Sequence, residues 1–202
     1  MSCTKTTDAE VYAVRKDYEW ATIMLRCWSR PANVGTPHER PYYCGEILIH
    51  SSYGSWGNTW TACGEPFKEF LLDAEFDYVF TKFMGTRLNV WDGEGSVESL
   101  RERLLEWRKT GELTKGEARA LWDEIDINET ELETSERDFV ECAYRMAADI
   151  EGRNVRHFLA EPWELTRDQH DSQAVGFWRE LWPEFIATLQ AEVAAAKFPC
   201  AA

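Results

Sequence analysis

The chain has no uninterrupted apolar run of about 18 residues, the length a helix needs to cross a bilayer, so no membrane span is expected. Its first residues, Met-Ser-Cys-Thr-Lys-Thr-Thr-Asp, lack the apolar stretch of a secretory signal. The six cysteines (Cys3, Cys27, Cys44, Cys63, Cys142, Cys200) are widely spaced and show no disulfide-framework pattern. These absences together point to reduced thiols and a cytoplasmic setting. Short metal-ligand spacings such as Cys-x2-Cys or His-x3-His are also missing. His38, Cys44, His50 and Cys63 are neighbours in sequence, but we read the cysteines as small buried hydrophobes and expect neither metal nor cofactor.

Catalytic signatures are equally scarce. No Gly-x-Ser-x-Gly elbow occurs, and Gly54-Ser-Trp-Gly57 and Gly93-Glu-Gly95 lack the lysine of a phosphate-binding loop, so both read as turns. No glycine follows Asp126-Ile-Asn128 where a calcium-binding loop needs one. The one place for an enzymatic alternative is His50 with Ser51, Ser52 and Tyr53, although serines in turns ordinarily bond their own backbone.

What the chain does have is negative charge, concentrated in one place. Of a net −14 over 202 residues, the segment from Asp123 to Glu141 carries nine carboxylates against one arginine. Residues 1–122 hold 18 acidic and 15 basic groups and residues 142–202 hold 9 and 6, so both flanks are close to balance. With 44% hydrophobic residues and ten tryptophans, the chain is no disordered polyanion. Most of the tryptophans are expected in the core. Leu132, Phe139 and Val140 interrupt the acidic run, so part of it must fold. Carboxylates on a rigid surface can imitate the phosphates of a nucleic acid, which carry about one charge per 1.7 Å of duplex axis. The same negative total argues against direct nucleic-acid binding.

The first third reads as β-structure. Val11 to Val14 and Tyr18 to Trp28 are aromatic and β-branched, and Ser29 to Pro41 reads as a loop. Tyr42 to His50 is a second strand, with Ile47 and Ile49 on one face and Leu48 on the other; a turn-rich stretch then leads into Thr59 to Cys63. From Pro66 the pattern becomes helical, with Phe67, Phe70 and Leu71 on one face and Phe76, Val79, Phe80 and Phe83 on another, up to a stop at Gly85. Leu88 to Trp91 reads as one more strand, closed by an Asp92-Gly93 turn. Beyond it, Ser96 is read as a helix cap and Thr114 with Glu117 as a capping box. A last helix from Asp171 or Ser172 should be kinked or split at Pro183. The expected architecture is α+β in a single domain: a small antiparallel sheet in residues 1–95, with a mainly helical half, 96–202, packed on it.

The block Cys44-Gly-Glu-Ile-Leu-Ile-His-Ser-Ser-Tyr-Gly-Ser-Trp-Gly-Asn-Thr-Trp60, followed by Gly64 to Leu71 and Phe76 to Gly85, resembles a family of phage and prophage accessory proteins. That family supplies no catalytic motif. The resemblance implies a context of phage weapons against bacterial defence, including anti-CRISPR proteins that occupy or disrupt RNA-guided effectors. The expectation is therefore a non-enzymatic inhibitor in the host cytoplasm whose partner is a basic host protein or CRISPR effector subunit. Its docking face would comprise Asp123, Glu124, Asp126, Glu129, Glu131, Glu133, Glu136 and Asp138, with Trp56 and Trp60 as exposed anchors. A structural or regulatory phage role, with acidity serving only solubility, is the other alternative.

Overall fold

A computed structural model describes residues 8–32 and 40–197. Strands β1 (Ala9–Lys16), β2 (Glu19–Ala32), β3 (Arg40–Ser51) and β4 (Ser55–Cys63) come first, then helices α1 (Phe67–Leu72) and α2 (Phe76–Met84). A short strand β5 (Asn89–Trp91) leads to helices α3 (Gly93–Thr110), α4 (Lys115–Leu132), α5 (Glu136–Asp149) and α6 (Arg153–Phe158). Strand β6 (Asp168–His170) pairs with β5, and α7 (Ser172–Glu180) and α8 (Trp182–Lys197) follow. The protein is α+β, as expected. Compactness, however, groups the chain as residues 1–88 with 170–202 in a first unit and residues 89–169 in a second.

In the first unit, β1 to β4 form an antiparallel meander in sequence order. Alternation sends Ala21, Ile23 and Leu25 of β2 and Ile47 and Ile49 of β3 to one face, where they are buried with Phe67, Leu71, Val79, Phe80, Phe177 and Phe185 from the helices. Leu48, between the two isoleucines, is 44% exposed on the opposite face. Gly45 is needed for this packing: a Cβ there would lie 1.9 Å from the Phe67 ring. Each such side chain, fully buried, contributes roughly 1.5–3 kcal/mol.

The loop expected over Ser29 to Pro41 is shorter than the sequence implied, because both proline-bearing ends continue as strand. Pro31 sits opposite Pro41 in the β2–β3 ladder. Among the described residues, β1 pairs with β2 as far as Arg26 and β4 with β3 as far as Tyr43, so each proline has one described neighbouring strand. Proline's missing N–H is tolerated there. The β3–β4 hairpin is also tighter than expected, closed by Ser51 N–H to Gly54 O at 2.8 Å. The expected break at Pro183 is real: α7 ends at Glu180 with Leu181 as its cap, and Pro183 takes the second position of α8, where no intrahelical N–H is needed.

In the second unit, α3 to α6 bury an aliphatic-rich core that includes Leu100, Leu104, Leu121, Ile125, Leu132, Phe139 and Met146. The capping box at Thr114 and Glu117 forms as read. The Asp92-Gly93 turn and the Ser96 cap do not: Asp92 is itself the cap, accepting from Gly95 N–H at 3.0 Å, and the helix starts at Gly93. Two weak helix formers, Gly93 and Gly95, disguised that start. Gly93 is required because a Cβ would meet the Glu133 carbonyl oxygen at 2.4 Å. Ser96 is buried instead, donating to Asp92 O at 2.6 Å and accepting from Arg167 N–H at 2.8 Å.

Candidate functional site

The acidic stretch occupies the C-terminal half of α4, the turn after it and the first turns of α5. Ile125, Leu132 and Phe139 are fully buried and pin the backbone, while the carboxylates point outward. Ser135 caps α5, accepting from Asp138 N–H at 3.1 Å and donating to the Asp138 carboxylate at 2.6 Å. Negative charge at this helix start is stabilised by the unpaired N–H groups. The run is thus an ordered surface.

Much of its charge is answered within the chain. Arg101, from α3, reaches Asp126 at 2.8 Å and Glu129 at 2.9 Å and lies over Trp122. Desolvation works against the Arg101 charge, but the hydrogen bonds it donates to Asp126 and Glu129, with their charges, outweigh it and hold its pKa above the ordinary value. Arg145 meets Glu131 at 2.6 Å, and that hydrogen bond holds the Glu131 carboxyl below its usual range. Arg119 pairs with Asp123 and Arg137 with Glu141, each one helical turn apart. Asp138 is committed to its cap, and Glu124 accepts from the Asn128 amide at 3.2 Å. Among the described residues, no ion pair engages Glu124, Glu133 or Glu136.

Two residues that sequence reasoning missed extend this surface. Glu94 and Glu98 of α3 line a cleft of about 330 Å³ together with Arg101, Glu129 and Glu133. One guanidinium therefore stands among four carboxylates, with its Nε buried and without a hydrogen-bond partner among the described residues. The spacing of Glu94 and Glu98, one turn apart, was visible, but their proximity to α4 depends on the fold.

The expected tryptophan anchors are corrected. Trp60 is only 5% exposed, its indole N–H donates to Tyr78 Oη at 3.1 Å, and Phe67, Phe70 and Phe83 surround it. Trp56 is half-buried against Phe80 and Phe177. Both belong to the core of the first unit, whereas all eight expected carboxylates belong to the second. The apolar side chain that does stand among the carboxylates is Ile127 of α4, 75% exposed. On the helix its neighbours three and four positions away are Asp123, Glu124, Thr130 and Glu131.

At the β3–β4 hairpin, Ser51 is a turn residue, its hydroxyl donating to Gly54 O at 2.9 Å and accepting from Gly54 N–H at 3.1 Å. Ser52 bonds Glu19, and Tyr53 packs against Gly176. The hydroxyl that meets His50 is Ser55, with Oγ 2.8 Å from Nδ1. Cys63 lies in the core cluster, while Cys44 is buried outside it and its thiol donates to Thr61 O at 3.1 Å. Desolvation pushes the Cys27, Cys63 and Cys142 thiols above their ordinary pKa. Among the described residues, no three His, Cys, Asp or Glu side chains gather as a metal group. His38, Cys3 and Cys200 lie outside the described residues.

An antiparallel meander covered on one face by helices, together with a helical unit, defines an α+β protein. The chain belongs to a phage protein family: the family model Phage_phiTE_072, described as a phage family, matches residues 1–191. No curated protein and no solved structure matches it. No helix among the described residues is long and apolar enough to cross a membrane.

Proposed function

We propose that this phage protein is a non-enzymatic inhibitor of bacterial antiviral defence, an anti-CRISPR that docks its acidic helical face on a basic surface of a nucleic-acid-guided effector. One observation carries the reading. Among the described residues, Glu94, Glu98, Glu124, Glu133 and Glu136 have no ion pair after Arg101, Arg119, Arg137 and Arg145 have taken their carboxylates, and Ile127 projects from the same α4 surface. Fixed carboxylates of this kind favour a cationic partner and speed encounter with it, while an exposed isoleucine supplies apolar area to bury. Membership of a phage family supplies the context. Occupation of a nucleic-acid groove and displacement of a subunit are both open to such a face.

The test is to replace Glu98, Glu124, Glu133 and Glu136 by glutamine. In a host whose nucleic-acid-guided system restricts the phage, this variant is expected to lose protection and partner capture while its thermal melt stays unchanged. Full protection by the variant would remove the docking face. The enzymatic alternative rests on the His50–Ser55 hydrogen bond, a nucleophile–base geometry at the exposed hairpin end. Loss of protection on Ser55→Ala or His50→Ala, with the four-glutamine variant fully active, would favour it.

A further inference from the structure

The sheet face turned away from the helices carries the composition of a binding surface. Along β2 it presents Trp20, Thr22, Met24, Arg26, Trp28 and Arg30 at alternate positions. At its centre, Val11, Met24 and Leu48 sit directly opposite one another across three strands, with Val11 66% and Leu48 44% exposed. At both ends, arginines lie over aromatic rings: Arg15 over Trp20 at 5.8 Å, Arg26 over Trp28 at 5.4 Å and Arg30 over Tyr42 at 5.6 Å. Protein interfaces are enriched in tryptophan, tyrosine, methionine and arginine around an apolar centre and depleted in lysine, and among the described residues this face has no lysine.

Its charge is opposite to that of the chain as a whole. Among the described residues, Arg15 donates to the carbonyls of Val14 and Ala21, and Arg30 to that of Thr61. Among the described residues neither has a carboxylate partner, in a protein with 36 acidic side chains. Arg26 is paired with Asp8, and Glu46 bonds the Thr59 hydroxyl at 3.5 Å. At physiological salt, charges more than about 8 Å away are largely screened, so the local arginines dominate what a partner meets here.

We infer that this outer face of the β1–β4 sheet docks a protein partner presenting an apolar ridge flanked by carboxylates. From strand rise and spacing the face offers roughly 500–800 Å², close to the ~800 Å² per partner of a stable complex. The aliphatic centre suits a protein better than nucleic acid, whose bases stack on aromatic platforms. A second copy meeting the same face would set arginines against arginines, with Glu46 the one carboxylate among the described residues of the face that is left without a cationic partner to answer them. The inference is independent of the acidic helical face, which lies in the other unit.

The experiment selects a display library of random linear peptides on the full chain, with counter-selection on Leu48→Asp. Enriched peptides should carry an apolar centre flanked by Asp and Glu. Their synthetic forms should lose about tenfold in affinity for Leu48→Asp and for Arg30→Glu, with both variants folded by circular dichroism. Glu133→Gln with Glu136→Gln should leave binding unchanged, which separates this surface from the acidic one. Failure to enrich over Leu48→Asp, or enrichment of basic peptides, overturns the inference. So does binding of a mixed-sequence single-stranded oligonucleotide that Arg30→Glu abolishes, or self-association that Leu48→Asp abolishes.

Discussion

The two units bury comparable cores but spend their charge differently. The first, residues 1–88 with 170–202, holds 15 acidic and 11 basic side chains, and the second, 89–169, holds 21 and 11. The first packs its helices on a sheet through interlocking rings, with Phe80 touching Trp56, Phe76, Phe83, Phe177 and Trp178. The second packs helix on helix through leucine and isoleucine, and its Phe139 meets one ring, Trp91. A single net charge of −14 therefore averages an acidic helical surface with an arginine-bearing sheet face. Total charge is a poor guide to either surface.

The sharpest way to break this contrast is a pair of truncations. Phe80→Ala and Phe139→Ala should each cost roughly 3–5 kcal/mol by chemical denaturation. If the ring network matters beyond buried area, Phe80→Ala should be the worse by about 0.5–1.5 kcal/mol. Equal costs would mean that the aromatic network adds nothing. Next comes Ser96→Ala in the second unit, which removes the buried hydroxyl that accepts from the Arg167 N–H and should cost about 1 kcal/mol; hydrogen exchange at Arg167 would report it directly. A neutral result would show that the amide finds another acceptor.

The smallest effect is a pH dependence in the first unit. Lys68 bridges Glu10 at 2.5 Å and Glu192 at 2.7 Å, and Tyr12 also donates to Glu10. The Lys68 hydrogen bond, then that of Tyr12, holds the Glu10 carboxyl below its ordinary 4.5. A depressed carboxyl stabilises the fold fully above its unfolded pKa, and the contribution is lost as pH falls through the lower folded value. Stability of the wild type should therefore decline below about pH 4.5 more steeply than that of Glu10→Gln. Because Glu10 is half exposed, the difference should be small. Parallel acid curves would show that the bridge is screened out.

Local signals were legible and long-range ones were not. Alternation at Ile47, Leu48 and Ile49 gave the faces of β3, and the capping box at Thr114 and Glu117 gave the start of α4. Both depend on residues within one turn or one pleat. The even spacing of Trp56 and Trp60 put them on one strand face, but only the helices beyond Pro66 make that face the core. The pairs Arg119–Asp123 and Arg137–Glu141 were readable at helical spacing. Arg101 reaching Asp126 and Arg145 reaching Glu131 were not, because each joins two helices. The acidic run consequently looked more negative in sequence than the folded surface is. Pro31 and Pro41 misled in the other direction, since their tolerance depends on where neighbouring strands end.

The return of the chain to its first unit also has a consequence for synthesis. The sheet is complete by Cys63, yet Phe177, Phe185 and Leu189, which help cover its apolar side, lie more than a hundred residues later. A nascent chain emerging from the ribosome must make the whole second unit before Ile23 and Ile49 gain those neighbours. During that interval the growing polypeptide carries a half-covered sheet, so a message truncated before α7 yields a sticky product with its first unit unfinished.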